Sequence, residues 1–307
     1  NPRNIFSLKR AYYQWIHEQI CKDRFDVVLL RYQLYDVFQY FYIIKFKKKA
    51  KIFLVLHSLS VNELKSFGGL LNRLKAFIEY LIGPLSIRSA DGLVTITEEI
   101  AIKEMKRAGK VDKKYIVYPN GILTDQKSVV YPDNRSNDMP ELLFVSSKFA
   151  PWHGLDLFVD AINKTTSLFI AHIVGKIPEK KIMKILQKDK RCKLHGTLSL
   201  KEIFDLESKS WVGLSSFAHF RLGMEQASTL KVRQYLLAGL PVYANYKEHF
   251  PDDFIFYKKG ECSIERIISF AFEMRKYSRF EISQSAKPYI DKKNLIENLY
   301  SQIKDEM

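Results

Sequence analysis

Cysteine is scarce in this sequence. Three occur in 307 residues, Cys21, Cys192 and Cys262, far apart and odd in number. No CxxC or Cys/His spacing accompanies them, which argues against a disulfide framework and a zinc site. A reducing compartment fits. Long apolar runs are also lacking. The best candidate, residues 70–87, is interrupted by Arg73, Lys75 and Glu79, so no bilayer span is expected. The first residues do not read as a secretory leader. There is no repeat and no low-complexity segment. P-loop, GxSxG and HExxH motifs are missing, as are zinc fingers, RNP aromatics and GXXG loops. Acidic residues are the minority: 34 Asp+Glu face 49 Lys+Arg, a net charge of +15. Such an excess predicts an anionic partner, whether nucleic acid, an anionic membrane face or a phosphorylated small molecule.

The chain is rich in core-forming residues. Hydrophobic residues make up 47% and aromatics 13%, which excludes a disordered chain. Short apolar runs recur: 25–30, 52–57, 92–96, 115–118, 142–146, 168–174, 192–194, 211–214, 242–244 and 254–257. They are continuous rather than alternating, as strands buried on both faces are. Helical patterns lie between them, among them 71–82 (ended by Gly83–Pro84), 98–108, 154–163 and 230–238. An amphipathic helix is expected at 292–305. The strand–helix repeat predicts parallel sheets covered by helices.

A polar stretch with two prolines, Lys127–Pro140, is the best domain boundary. The expectation is two Rossmann-like, doubly wound α/β domains, 1–138 and 139–307. The second holds six strands and the closing helix. The first holds four, and the sequence opens at Asn1 inside a helical pattern. The N-terminal domain is therefore expected to lack its first strand or strands.

The stretch Leu214–Asn245 carries most of the chemistry. A loop of small residues leads into a helix near Thr229, which ends at Gly239 and Pro241. A helix N-terminus suits a phosphate. Lys231 lies in the first turn, where a cation opposes the helix dipole, so binding a diphosphate is one reason for it to be there. A solvated lysine is the other.

The segment QASTLKVRQYLLAGLPV resembles the motif of GT-B glycosyltransferases of the family-4 retaining type. Other segments agree in order: DGLVTITEEI, YIVYPNGI, LLFVSSKFAPWHGLD, HIVGK and KLHGTLS. The resemblance implies two Rossmann-like domains facing a cleft. It also implies an enzyme that moves a sugar from a nucleotide diphospho-sugar with retention and without a metal. No cofactor is expected beyond that donor. Lys148 and Lys231 fall on the family's diphosphate-binding basic residues. Gly154, Gly175, Thr197 and Ser228 fall in the donor site.

The family's paired glutamates fall on Gln226 and Gln234, with Glu225 beside the first. Glu225 or Gln226 is then assigned the donor sugar, and Gln234 the ribose. Glutamine still binds hydroxyls but has lost the charge, so an inactive or partner-dependent accessory subunit stays open. His57, at a predicted strand end, matches a histidine near the donor sugar in the family. A structural histidine reads equally well. His153 is either a cap or a ligand contact.

Lys45, Lys47, Lys48, Lys49 and Lys51 follow an aromatic helix, a pattern suited to anionic lipid or to a solvated loop. Lys103, Lys106, Arg107, Lys110, Lys113 and Lys114 read as a helix face and its exit. With the charge, the resemblance implies a glycan or lipid-linked acceptor in bacterial cell-surface polysaccharide synthesis. It places the protein in the cytoplasm, peripheral on the inner face of the membrane. No specific nucleic-acid partner is expected.

Overall fold

The computed structural model describes residues 4–66, 68–109, 112–124, 133–135 and 139–305. Lys110 and most of the Lys127–Pro140 stretch lie outside the described residues. The chain divides into two units, Asn1–Pro119 with Glu297–Met307, and Asn120–Ile296.

In the first unit, helix α1 (Ile5–Asp23) starts at Asn4, whose side chain accepts the Ser7 N–H. Strand β1 (Val27–Arg31) follows, then α2 (Val37–Phe46), β2 (Lys51–Leu56), α3 (Ser60–Ser66), α4 (Leu70–Ser89), β3 (Gly92–Thr95), α5 (Glu98–Arg107) and β4 (Tyr115–Val117). The sheet is parallel, in the order β1-β2-β3-β4. Asp36 caps α2 and Thr97 caps α5, each by accepting a backbone N–H of the first turn.

Helix α4 differs from expectation. It runs through Gly83 and Pro84 rather than stopping there. The reason is tertiary. One turn before Gly83, Glu79 is fully buried and accepts from the Tyr32 hydroxyl, the Tyr35 N–H (2.6 Å) and Arg107 Nη2 (3.1 Å). A Cβ on Gly83 would overlap the Glu79 carboxylate and the Tyr32 hydroxyl. The glycine here makes room for a buried polar network, which outweighs the local tendency of Gly-Pro to end a helix.

The second unit holds β5 (Glu141–Lys148), α6 (Leu155–Asn163), β6 (Ile170–Lys176), α7 (Lys180–Lys188), β7 (Cys192–Gly196), α8 (Leu200–Lys209), β8 (Val212–Leu214), α9 (Leu230–Leu237), β9 (Val242–Ala244), β10 (Tyr257–Lys259), α10 (Ile264–Met274) and α11 (Arg279–Ile290). All six strands are parallel, in the order β10-β9-β8-β5-β6-β7. This is the doubly wound arrangement. The chain moves outward from β5 to β7, then crosses back to start β8 on the other side of β5. Ligands bind such sheets at the carboxyl ends of the strands beside that reversal.

The core beneath is aromatic. Phe144 of β5 meets Phe149, Phe158 and Phe217 edge-on, with ring centroids 5.1, 5.8 and 5.8 Å away. Each such buried ring contributes about 1.5–3 kcal/mol. Helix α12 (Lys292–Asp305) is shared: its first residues belong to the second unit and the rest to the first. There Leu299 and Ile303 pack on Phe53, Val94 and Ile116. The sequence reading had placed the whole helix with the second domain.

Candidate functional site

The site is built at the carboxyl ends of β5 and β8, within the second unit. Strand β5 ends in Ser146, Ser147 and Lys148, with an irregular register against β6 over this stretch. Gly175 of β6, at φ +125°, lies so close that a Cβ would overlap the Ser146 carbonyl oxygen. Its absent side chain lets the two strand ends come together. Gly154, at φ +70°, ends the turn Pro151–His153 and starts α6 against Phe217 and Ala218. Both glycines thus let the backbone pack closely at this end of the sheet.

His153 is a cap. Its Nδ1 accepts the Ala150 N–H at 2.8 Å, so the proton sits on Nε2, 3.3 Å from Ser146 Oγ. Burial, with Lys231 and His219 nearby, holds its pKa down at about 3. It is a neutral donor at any physiological pH.

Helix α9 begins at Thr229. Lys231 follows in the first turn, and its Nζ is buried without a hydrogen-bond partner. It lies 5.7 Å from the centroid of the Phe144 ring. Burial lowers its pKa to about 8. A buried ammonium with no counter-ion is costly, and here it sits where the first N–H groups of α9 have no acceptor inside the helix. An anion bound at this end of the sheet would satisfy both.

The start of α9 is held rigidly. Arg233 and Glu248 form a fully buried ion pair at 2.6 Å. Glu248 also accepts the Thr229 N–H at 3.1 Å, and burial pushes its carboxyl up. Arg233 Nε donates to the Asn120 carbonyl at 2.8 Å. Ser228 Oγ accepts the Asn120 N–H at 2.8 Å, and the Ser228 carbonyl accepts from the Asn120 side chain. Tyr246 joins the hydroxyls of Ser215 and Thr229, at 2.7 and 3.0 Å.

The structure thus brings Lys231, Gly154 and Gly175 to one end of the sheet, with Lys148 exposed at the end of β5. Ser228 is occupied in holding Asn120. Thr197 is exposed just after β7. Gln226 forms a bridge with Lys247, and Glu225 beside it is exposed. Gln234 donates from Nε2 to Glu207 at 3.1 Å. Glu207 is wholly buried and its pKa is pushed up to about 8. His57, in the first unit, is exposed at the end of β2, and its pKa is lowered by partial burial and by Arg31.

Glu207, Glu248 and Tyr246 are missing from the sequence reading. Their partners come from different elements, so no local spacing marks them. Among the described residues, no group of three His, Cys, Asp or Glu side chains is placed to hold a metal ion, and no helix is long and apolar enough to cross a membrane.

Neither a family model nor a curated protein sequence matches the chain. Solved structures do. The lipopolysaccharide outer core galactosyltransferase WaaB, in its apo form, is similar at TM-score 0.67 and 15% identity, over 99% of this chain and 82% of that one. A glycosyltransferase from Rickettsia africae is similar at 0.66 and 14%, over 99% and 83%. HepE of Anabaena in complex with UDP is similar at 0.64 and 14%, over 96% and 81%. At such low identity the likeness speaks for the fold, and the fold this chain shares with them is the GT-B fold of two parallel-sheet α/β units.

Proposed function

We propose that the protein is a glycosyltransferase. It moves a sugar from a nucleoside diphosphate to a glycan or lipid-linked acceptor, with retention, in cell-surface polysaccharide synthesis. The observation that carries this reading is the unpartnered Lys231 ammonium at the strand-order reversal. In the reaction the bond between the sugar's anomeric carbon and the diphosphate oxygen breaks. The acceptor oxygen forms the new bond, and its proton passes to the departing diphosphate oxygen. The departing diphosphate gains negative charge, and stabilising that charge is the main demand on the protein. Lys231, the α9 N-terminus and Lys148 meet it without a metal ion. The resemblance assigns Gln234 to the ribose, Glu225 or Gln226 to the donor sugar, and His57 to the sugar from the first unit. The HepE structures contain UDP, glucose or UDP-glucose, which makes uridine donors the first to test. The reading extends to an acceptor at the cytoplasmic face of an anionic membrane.

The test is thermal stabilisation by UDP-, GDP- and ADP-sugars in the native protein and in Lys231→Met. A ligand that binds only the folded state raises the melting temperature. Lys231→Met removes an unpaired buried charge, so the ligand-free protein is expected to melt higher. The ligand-induced rise is expected to vanish. A variant that melts lower and keeps the full rise would overturn the assignment.

A second reading has its own support. The Gln234 amide is engaged by Glu207, and the two positions of the family's paired glutamates, Gln226 and Gln234, carry no charge. This suits an accessory subunit that binds donor without turnover. Binding without any donor hydrolysis or transfer would favour it.

A further inference from the structure

Helix α4 is inside out. A surface helix normally turns its apolar stripe to the core and its charges to water. Here the inward side carries Ala76, Glu79, Gly83, Pro84, Ser86 and Ile87. The outward side carries Leu70, Leu74, Phe77, Leu81 and Leu85, spaced four, three, four and four residues apart. That spacing makes one continuous stripe. Leu70 is 85% exposed, Phe77 59% and Leu81 56%.

The orientation is not free to change. Glu79 is locked inside by Tyr32, the Tyr35 N–H and Arg107, so turning the leucines inward would leave a carboxylate facing apolar groups or would break that network. Neighbouring helices continue the theme. Helix α2, which packs against both α1 and α4, exposes Phe41 and Ile44, and α1 exposes Trp15. Exposed apolar surface on this scale marks an interaction site.

The charges say which kind. The only carboxylate on α4 is the buried Glu79. The solvent-side charges are Arg73, Lys75 and Arg88, with Lys65 nearby on α3 and Lys45 and Lys48 about the end of α2. A second copy laid against this stripe would bring the α4 cations together with no exposed carboxylate on that helix to meet them. An anionic bilayer takes the apolar stripe among its acyl chains and the cations at its headgroups.

We infer that the outward face of α4 is a membrane-docking surface that seats the first unit on anionic lipid. The inference gives a location to the membrane contact proposed above and does not depend on sugar transfer.

The experiment is flotation with vesicles of phosphatidylcholine alone and of equal parts phosphatidylcholine and phosphatidylglycerol. The native protein is expected to float with the mixed vesicles, to lose binding in high salt, and to stay behind with the neutral ones. Phe77→Glu/Leu81→Glu is expected to lower partitioning at least about tenfold. Leu168→Glu, at an exposed leucine of the second unit, is expected to float as the native protein does. Arg73→Gln/Lys75→Gln leaves the stripe intact and is expected to weaken binding to the mixed vesicles alone, which decides the matter if the glutamate variant fails to fold. The donor-induced rise in melting temperature is expected to survive in every folded variant, so failure here and failure of the transferase reading are separable. Unchanged flotation of Phe77→Glu/Leu81→Glu would overturn the inference. So would a native dimer that ignores vesicles and is split by the same change.

Discussion

Lys231 holds a positive charge where water is excluded, and its pKa of about 8 makes that charge conditional. Below pH 8 the ammonium is present for an incoming diphosphate, and above it the free protein loses the proton. Donor affinity is therefore expected to fall between pH 8 and pH 9, measured by titration calorimetry, and to be too weak to measure in Lys231→Met at either pH. Gln234 sets a second test. Its amide meets Glu207, a buried carboxyl whose pKa is raised to about 8 by desolvation. A glutamate at 234 would place two carboxyl groups at hydrogen-bond distance, and one must then keep its proton. Gln234→Glu is expected to lower the melting temperature, with the loss growing from pH 6 to pH 9. Adding Glu207→Gln is expected to remove that pH dependence. A Gln234→Glu protein as stable as the native one at pH 9 would show that the two side chains do not meet. Lys231 was legible in the sequence as a cation in the wrong place on a helix. Glu207 was not, because its meaning comes from a residue 27 positions away.

At the scale of elements, nine of the apolar runs overlie strands, the tenth, 254–257, meets β10 only at Tyr257, and the continuous patterning correctly indicated parallel sheets. The central strands β2, β3, β5, β6, β8 and β9 are buried or half-buried over most of their length, which leaves no polar alternation there, while β1, β7 and β10 are partly exposed. Helix α9 follows Thr229 and stops before Gly239, as its flanking residues indicate. Helix α4 ignores its Gly-Pro signal because the network around Glu79 holds the segment helical. A glycine-to-alanine change inside a helix ordinarily stabilises by about 1 kcal/mol. Gly83→Ala is expected to do the reverse, costing about 1–3 kcal/mol as the new methyl displaces the Glu79–Tyr32–Arg107 cluster. Denaturant unfolding of the variant measures the sign directly.

At the scale of the molecule, proton linkage offers a global test. Four of the seven histidines, His17, His57, His153 and His195, have lowered pKa values in the folded chain, each chiefly through desolvation. An unfolded histidine takes up its proton near pH 6.5, while the folded His153 resists down to about 3. Their contribution is present above pH 6.5 and is lost as the pH falls. Glu207 has the opposite sign: it favours the folded state at low pH and loses that effect as the pH rises toward 8. The buried carboxyls Glu104 and Glu248, also raised by desolvation, add to the Glu207 effect, so the histidine share is read by difference: His153→Asn is expected to gain melting temperature relative to the native protein between pH 6.5 and pH 5. Local periodicity, caps and counts are enough for the strands in outline, the bounds of α5, α6, α9 and α12, the parallel sheets and the excess of positive charge. The burial of Lys231 without a partner, the service of Glu207 and Glu248 to α9, and the outward leucines of α4 emerge from the folded chain alone. Burial and pairing are relations between distant residues, and a helix's rotation is set by what its neighbours will accept.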